Sequence, residues 1–123
     1  MSFVRILLAG LLFAAGVSCA QSGPDLSDIN LPDGFSIEIW TDQVPNARSL
    51  ALGDQGTVFV ATRRDGRVYA VSEDASGTRS VVTIARDLKM PNGVAFRDGS
   101  LYVAENHRII RFDDIESRLG NIP

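Results

Sequence analysis

The sequence predicts an all-β domain, and three observations carry that expectation. After residue 20 no stretch sustains apolar residues at i, i+3, i+4 and i+7, so no amphipathic helix is expected. Short apolar or alternating runs are separated by Asp54-Gln55-Gly56, Asp65-Gly66 and Ala75-Ser76-Gly77. Such turns carry the glycine that tight hairpins use for a positive φ. Finally, three short segments recur in the same order 41 to 46 residues later. That is the spacing of a repeated four-stranded sheet.

Residues 1–20 read as an export signal rather than as part of the fold. Arg5 supplies a positive start, and residues 6–17 are twelve in a row without a charge or strong polar group. A membrane-spanning helix needs about 20 such residues, so the run fits the apolar centre of a secretory signal. Ser18-Cys19-Ala20 places small residues at the −3 and −1 positions of a cut after Ala20. Ala15-Gly16-Val17-Ser18-Cys19 is also a loose lipobox, with Gly16 where a larger aliphatic residue is preferred. By that second route Cys19 is lipidated and becomes the mature N-terminus. The expected location is therefore periplasmic or secreted, or a membrane-anchored lipoprotein held through Cys19.

Residues 21–33 are rich in Ser, Pro, Gly, Asp and Asn without a period, and read as a linker. Phe35-Ser36-Ile37-Glu38-Ile39-Trp40 alternates with period two and is expected to be a half-buried strand. Further strands are expected at 49–52, 57–62, 67–72 and 81–85.

The repeat organises these strands. Pro45-Asn46-Ala47-Arg48-Ser49-Leu50-Ala51-Leu52 returns as Pro91-Asn92-Gly93-Val94-Ala95-Phe96, at an offset of 46. Gly56-Thr57-Val58-Phe59-Val60-Ala61-Thr62 returns as Gly99-Ser100-Leu101-Tyr102-Val103-Ala104-Glu105, at 43. Arg67-Val68-Tyr69-Ala70-Val71 returns as Arg108-Ile109-Ile110-Arg111-Phe112, at 41. A β-propeller blade has this period. Residues 34–41 then supply one outer strand, 49–88 a full blade, and 93–112 three strands of the next. That makes about two blades, whereas propellers close with roughly 4–8. The expectation for residues 34–123 is thus an incomplete propeller, the truncated N-terminal piece of a longer protein. Such a piece is expected to fold poorly or to associate through open strand edges, Ile109-Ile110 among them.

Composition narrows the function. The 123 residues hold 12 Lys+Arg against 15 Asp+Glu, a net charge of −3 that becomes −4 without Arg5. Nucleic-acid binding needs a basic face and is not expected. One cysteine excludes a disulfide framework and a multi-thiolate metal site, and one histidine excludes a His-rich zinc centre. No Gly-rich phosphate loop, Gly-x-Ser-x-Gly elbow or Cys-x-x-Cys is present.

In a propeller, ligands sit where loops enter the innermost strands and join the second to the third. Here those loops are 45–48, 62–66, 89–93 and 105–107. They hold Arg48, Arg63, Arg64, Asp65, Lys89, Asn92, Glu105, Asn106 and His107. Cationic groups gathered in an acidic chain point to an anionic ligand, because Arg offers forked donors to carboxylates. The plainer alternative is solvated hairpin loops. His107 is the only side chain whose ordinary pKa suits proton transfer near neutrality, but nothing places a carboxylate behind it. Asn92 and Glu105 offer oxygens to Ca²⁺, which takes 6–8 of them. Asp113-Asp114-Ile115-Glu116 reads as a short solvated turn.

Several of these segments also carry a family resemblance. They are Leu31-Pro32-Asp33-Gly34-Phe35, Ala47-Arg48-Ser49-Leu50-Ala51-Leu52 and Met90-Pro91-Asn92-Gly93-Val94-Ala95-Phe96-Arg97-Asp98-Gly99. Leu101-Tyr102-Val103-Ala104-Glu105 and Arg108-Ile109-Ile110-Arg111-Phe112-Asp113-Asp114-Ile115-Glu116 complete the set. Together they resemble the start of sorbosone dehydrogenase-like proteins, within the soluble glucose/sorbosone dehydrogenases. The resemblance implies an exported propeller that binds pyrroloquinoline quinone and Ca²⁺ and oxidises a sugar or sugar aldehyde. It also implies an electron acceptor as partner. The family's general-base histidine lies in a His-Gly-x-Lys-type segment beyond Pro123, so the catalytic role does not pass to His107 and this chain alone is expected to be inactive. Arg63, Asn92 and Glu105 are candidates for cofactor binding by loop position. Two alternatives stand beside this one: a calcium-dependent sugar lactonase-like propeller with Asn92 on the metal, and a non-enzymatic envelope scaffold.

The export signal makes a direct prediction. Intact-mass measurement of the mature protein is expected to give either an unmodified chain starting at Gln21 or a diacylated chain starting at Cys19. Retention of Met1 in protein recovered from the envelope contradicts both.

Overall fold

The computed structural model describes residues 24–122. The expected export signal and Cys19 lie outside the described residues. The chain divides into two units, Met1–Ile37 and Glu38–Pro123. In the first, residues 24–37 form turns without helix or strand, closed by Ile29 N to Leu26 O at 3.2 Å and Phe35 N to Pro32 O at 3.1 Å.

The second unit is all-β, with seven strands, one 3₁₀ turn and no α-helix among the described residues. Strands β1 (Ala47–Leu52), β2 (Val58–Thr62), β3 (Val68–Glu73) and β4 (Arg79–Ala85) form one antiparallel sheet in chain order. Strands β5 (Gly93–Arg97), β6 (Ser100–Ala104) and β7 (Ile109–Phe112) form a second, also antiparallel. The 3₁₀ turn Ile115–Arg118 follows. The three repeated segments therefore fall on the first three strands of each sheet, and the repeat in sequence is a repeat in structure.

Strand composition explains the layering. In β2 and β3, Val, Phe, Tyr and Ala follow one another without polar alternation, and both strands are buried on both faces. Directly paired residues share a face of the sheet. Ala51 opposite Phe59 and Phe59 opposite Ala70 therefore mark one face, and Leu50 opposite Val60 marks the other. The first of these faces packs on the second sheet, where Phe59, Ala61, Val68, Ala70 and Ile84 join Leu101, Val103 and Ile115 in one core. At its centre Phe59 and Phe96 stack with ring centroids 5.6 Å apart and planes 11° from parallel. A bulge between the pairs Val68–Ala85 and Tyr69–Thr83 gives β4 an extra residue, Ile84, and that residue is buried in this core.

Glycine is required where the backbone folds back on itself. At Gly66, φ is +62° and a Cβ would come within 2.5 Å of Leu88 O. Its carbonyl accepts from Leu88 N at 3.0 Å, which holds the β4–β5 connection against the β2–β3 turn.

Two expectations are corrected. Residues 35–40 are not a strand, because neither sheet offers them a backbone ladder. Side chains replace it: Arg79 donates to Trp40 O at 2.9 Å and to Glu38 Oε1 at 3.2 Å, and its guanidinium lies 5.3 Å from the Trp40 ring centroid. Nor is the acidic segment after β7 merely a solvated turn. Ile115 is fully buried, and the Glu116 carboxylate accepts from Gln55 N at 3.0 and 3.2 Å, which ties the end of the chain to the β1–β2 turn.

Phe59→Ala removes half of the central stack and is expected to lower stability by about 3–5 kcal/mol. Urea denaturation reads this as a lower midpoint at an unchanged slope. Leu50→Ala, on the exposed face, is expected to change stability by no more than about 0.5 kcal/mol.

Candidate functional site

Antiparallel hairpins put the β2–β3 and β6–β7 turns at the same end as the segments entering β1 and β5. The four loops singled out in the sequence therefore gather at one end of the two sheets. A cleft of about 510 Å³ opens there, lined by Arg48, Arg63, Met90, Asn92, Gly93, Ala104, Glu105 and Asn106. Beside it a second cleft of about 590 Å³ is lined by Asn46, Ala47, Arg48, Arg63, Arg64 and Asp65. Arg48 and Arg63 border both.

The structure thus brings Arg63, Asn92 and Glu105 to one cleft. Arg64 and Asp65 border the neighbouring cleft. Lys89 contributes its backbone rather than its side chain, donating to Glu105 Oε1 and accepting from Asn106 N at 3.3 Å. His107 is exposed in the β6–β7 turn and borders neither cleft.

Hydrogen bonds sort these residues by what they do. Glu105 is a strut. Its side chain is 1% exposed, Oε1 accepts from Lys89 N and Oε2 from Arg108 Nε, and its own N–H closes the β6–β7 turn on Arg108 O at 2.9 Å. The Arg108 guanidinium first, then the Lys89 N–H, hold its carboxyl below the ordinary glutamate range, with burial pulling the other way. Thr62 sits at the repeat-equivalent position and is equally buried; its hydroxyl exchanges hydrogen bonds with Arg67 N and O, each at 3.0 Å.

Asn92 is a strut as well. Its Oδ1 accepts from Arg48 Nε at 2.6 Å and its carbonyl from Ser49 Oγ, so the entries to β1 and β5 are joined. Asn46, in the left-handed region at φ 55°, donates to Asp65 Oδ2 at 2.8 Å and links the entry of β1 to the β2–β3 turn.

Among the described residues, no ion pair engages Arg48, Arg63 or Arg64. Two guanidinium groups border both clefts and a third borders one, while the nearest carboxylates are committed to Arg108 and Asn46. That donor set fits a ligand bearing carboxylates. It does not fit Ca²⁺: the Asn92 side-chain oxygen already faces a guanidinium, both Glu105 oxygens are taken, and no three His, Cys, Asp or Glu residues come together among the described residues. The sequence signals which loops meet, but not the struts within them. Glu105 pairs with Arg108 only because a turn of two residues folds the chain back, and Asn92 meets Arg48 across an offset of 44 residues.

No protein-family model matches the chain. Over 95 residues it is 23% identical to an uncharacterized protein of Borreliella burgdorferi, a match that takes in 76% of this chain and 24% of that protein. The chain spans about a quarter of the length of that relative.

Because the folded Glu105 carboxyl is held low, its contribution to stability is complete above the ordinary glutamate value near 4.5 and is lost as pH falls through the lower folded value. The stability difference between wild type and Glu105→Gln, measured by urea denaturation from pH 7 to pH 3, is expected to be largest at neutral pH and to shrink in acid.

Proposed function

We propose that the two sheets are blades of a β-propeller whose loop end binds a carboxylate-bearing ligand between Arg48 and Arg63. The observation that carries this reading is the pair of guanidinium groups, free of ion pairs among the described residues, bordering one cleft. Arg presents parallel N–H donors that match a carboxylate in bidentate fashion. The sequence resemblance to glucose/sorbosone dehydrogenases supports pyrroloquinoline quinone, which carries carboxylates, as that ligand. On this reading the chain belongs to an exported oxidoreductase acting on a sugar or sugar aldehyde.

When bound, the quinone supplies a two-electron acceptor for hydride from the sugar; the protein supplies orientation and charge. In this chain Arg48 and Arg63 hold the carboxylates, and Asn92 keeps Arg48 in place through its Nε. Glu105 keeps the lower wall rigid. The reading assigns no general base among these residues, so binding rather than turnover is the property to measure here. The calcium-dependent lactonase alternative has less support. It needs the Asn92 oxygen on a cation, and the positive charge of Arg48 stands 2.6 Å from that oxygen.

Equilibrium dialysis of the full chain against pyrroloquinoline quinone tests this. Arg63→Ala is expected to weaken binding about tenfold, near 1.4 kcal/mol. Arg86→Ala, outside both clefts, is expected to leave it unchanged. Equal affinity of wild type and Arg63→Ala, or no binding by wild type, overturns the proposal.

A further inference from the structure

Among the described residues, those other than glycine that hold a positive φ are Asn46, Asp87, Met90, Asp98 and Asp114. All but one are Asn or Asp, whose short polar side chains make the left-handed region accessible. Met90, at φ 56°, has no such side chain. It also precedes Pro91, and a residue before proline prefers extended backbone. The repeat does not impose this conformation. Pro45-Asn46 matches Pro91-Asn92, so the counterpart of Met90 is Val44, which has no positive φ and packs on Val60, Tyr69 and Val71. Met90 is instead 36% exposed and borders the first cleft with Arg48, Arg63 and Asn92.

The backbone on either side holds Met90 in this state. Leu88 N donates to Gly66 O at 3.0 Å, Lys89 N donates to the Glu105 carboxylate, and Lys89 O accepts from Asn106 N at 3.3 Å. On the other side Pro91 is fully buried, and Asn92 N donates to Ala104 O at 3.1 Å. Backbone strain persists only where surrounding contacts over-determine it, and it gathers at ligand sites. Glycine or asparagine would adopt this conformation with less strain. What methionine adds is a flexible apolar chain with a polarisable sulfur, set at the cleft beside two guanidinium groups.

We infer that Met90 is the platform for the ring of the ligand. Its thioether lies against the face of a flat conjugated ring whose carboxylates are held by Arg48 and Arg63. Contact between sulfur and an aromatic face is favourable because the sulfur is polarisable, and an aliphatic ligand has no such face to offer. Guanidinium groups pair with any carboxylate, so Arg48 and Arg63 by themselves select charge alone. Met90 adds selection for a ring. The cleft, at about 510 Å³, has the size of a small-molecule site, roughly 300–1,000 Å³. The inference rests on the ligand reading given above and extends it from charge to shape.

Met90→Gly and Met90→Asn both remove the side chain and suit the backbone. In equilibrium dialysis of the full chain, each is expected to weaken pyrroloquinoline quinone binding about fivefold. Each is expected to leave unchanged the affinity for citrate, an aliphatic tricarboxylate. Each is also expected to melt no lower than wild type, because the strain at residue 90 is relieved. The absorption band of the quinone is expected to shift on binding to wild type and to shift less with Met90→Gly. Equal quinone affinity in wild type and both variants overturns the inference. So does an equal loss of citrate affinity, which assigns Met90 to the shape of the cleft rather than to a ring. A lowered melting temperature in both variants overturns it as well, being the mark of a residue kept for the fold. In each of these cases weakened quinone binding by Arg63→Ala leaves the ligand reading standing. Absence of quinone binding by wild type overturns that reading and this inference together.

Discussion

Phe59 stacked on Phe96 is the contact on which the rest of this structure depends. A twisted antiparallel sheet with apolar residues on both faces cannot cover itself, and hydrophobic burial at about 25 cal/mol per Å² drives it onto a neighbour. The first sheet meets this need on one side through the second sheet, with Ile84 added by the β4 bulge and Ile115 by the 3₁₀ turn. Because the two sheets carry the same strand order, pressing them together also aligns their ends. The loops that enter β1 and β5 become neighbours, and so do the turns after β2 and β6. The candidate cleft is a consequence of that alignment.

Carboxylates secure the two ends. At the cleft end Glu105 joins the β4–β5 connection to the β6–β7 turn, and at the opposite end Glu116 joins the last turn to the β1–β2 hairpin. Each accepts backbone N–H groups of a turn, Lys89 N at Glu105 and Gln55 N at Glu116. Holding the acidic groups in this way leaves Arg48, Arg63 and Arg64, which border the two clefts, without an ion pair among the described residues. An acidic chain thereby presents a basic rim. Net charge alone conceals it, since the sum over a chain says nothing about which charges neutralise one another.

Much of the fold is legible in the sequence. The glycine turns and period-two runs place seven strands to within two residues or so, because hairpin chemistry is local. The repeat offsets pair the sheets strand for strand. The strand expected at 35–40 fails for a physical reason: its alternation is real, but a strand exists only with a ladder partner, and no described strand offers one. The acidic segment 113–116 fails differently. Its composition is that of a turn, and only the proximity of Gln55, 61 residues earlier, gives the Glu116 carboxylate a partner. The four loops gather at one end as their positions in the hairpins require, whereas the hydrogen bonds that Asn92 and Glu105 make there are not legible in the sequence.

The sequence by itself determined the all-β class, the repeat, and the gathering of Arg48, Arg63, Asn92 and Glu105 near one another, since these follow from local periodicity and from spacing. Tertiary structure alone decided which of those side chains act as struts, and which faces of the two sheets meet. Hydrogen-bond partners and sheet faces are set by contacts between residues far apart in the chain. No local pattern records such contacts, because their energy arises only once both partners are buried together.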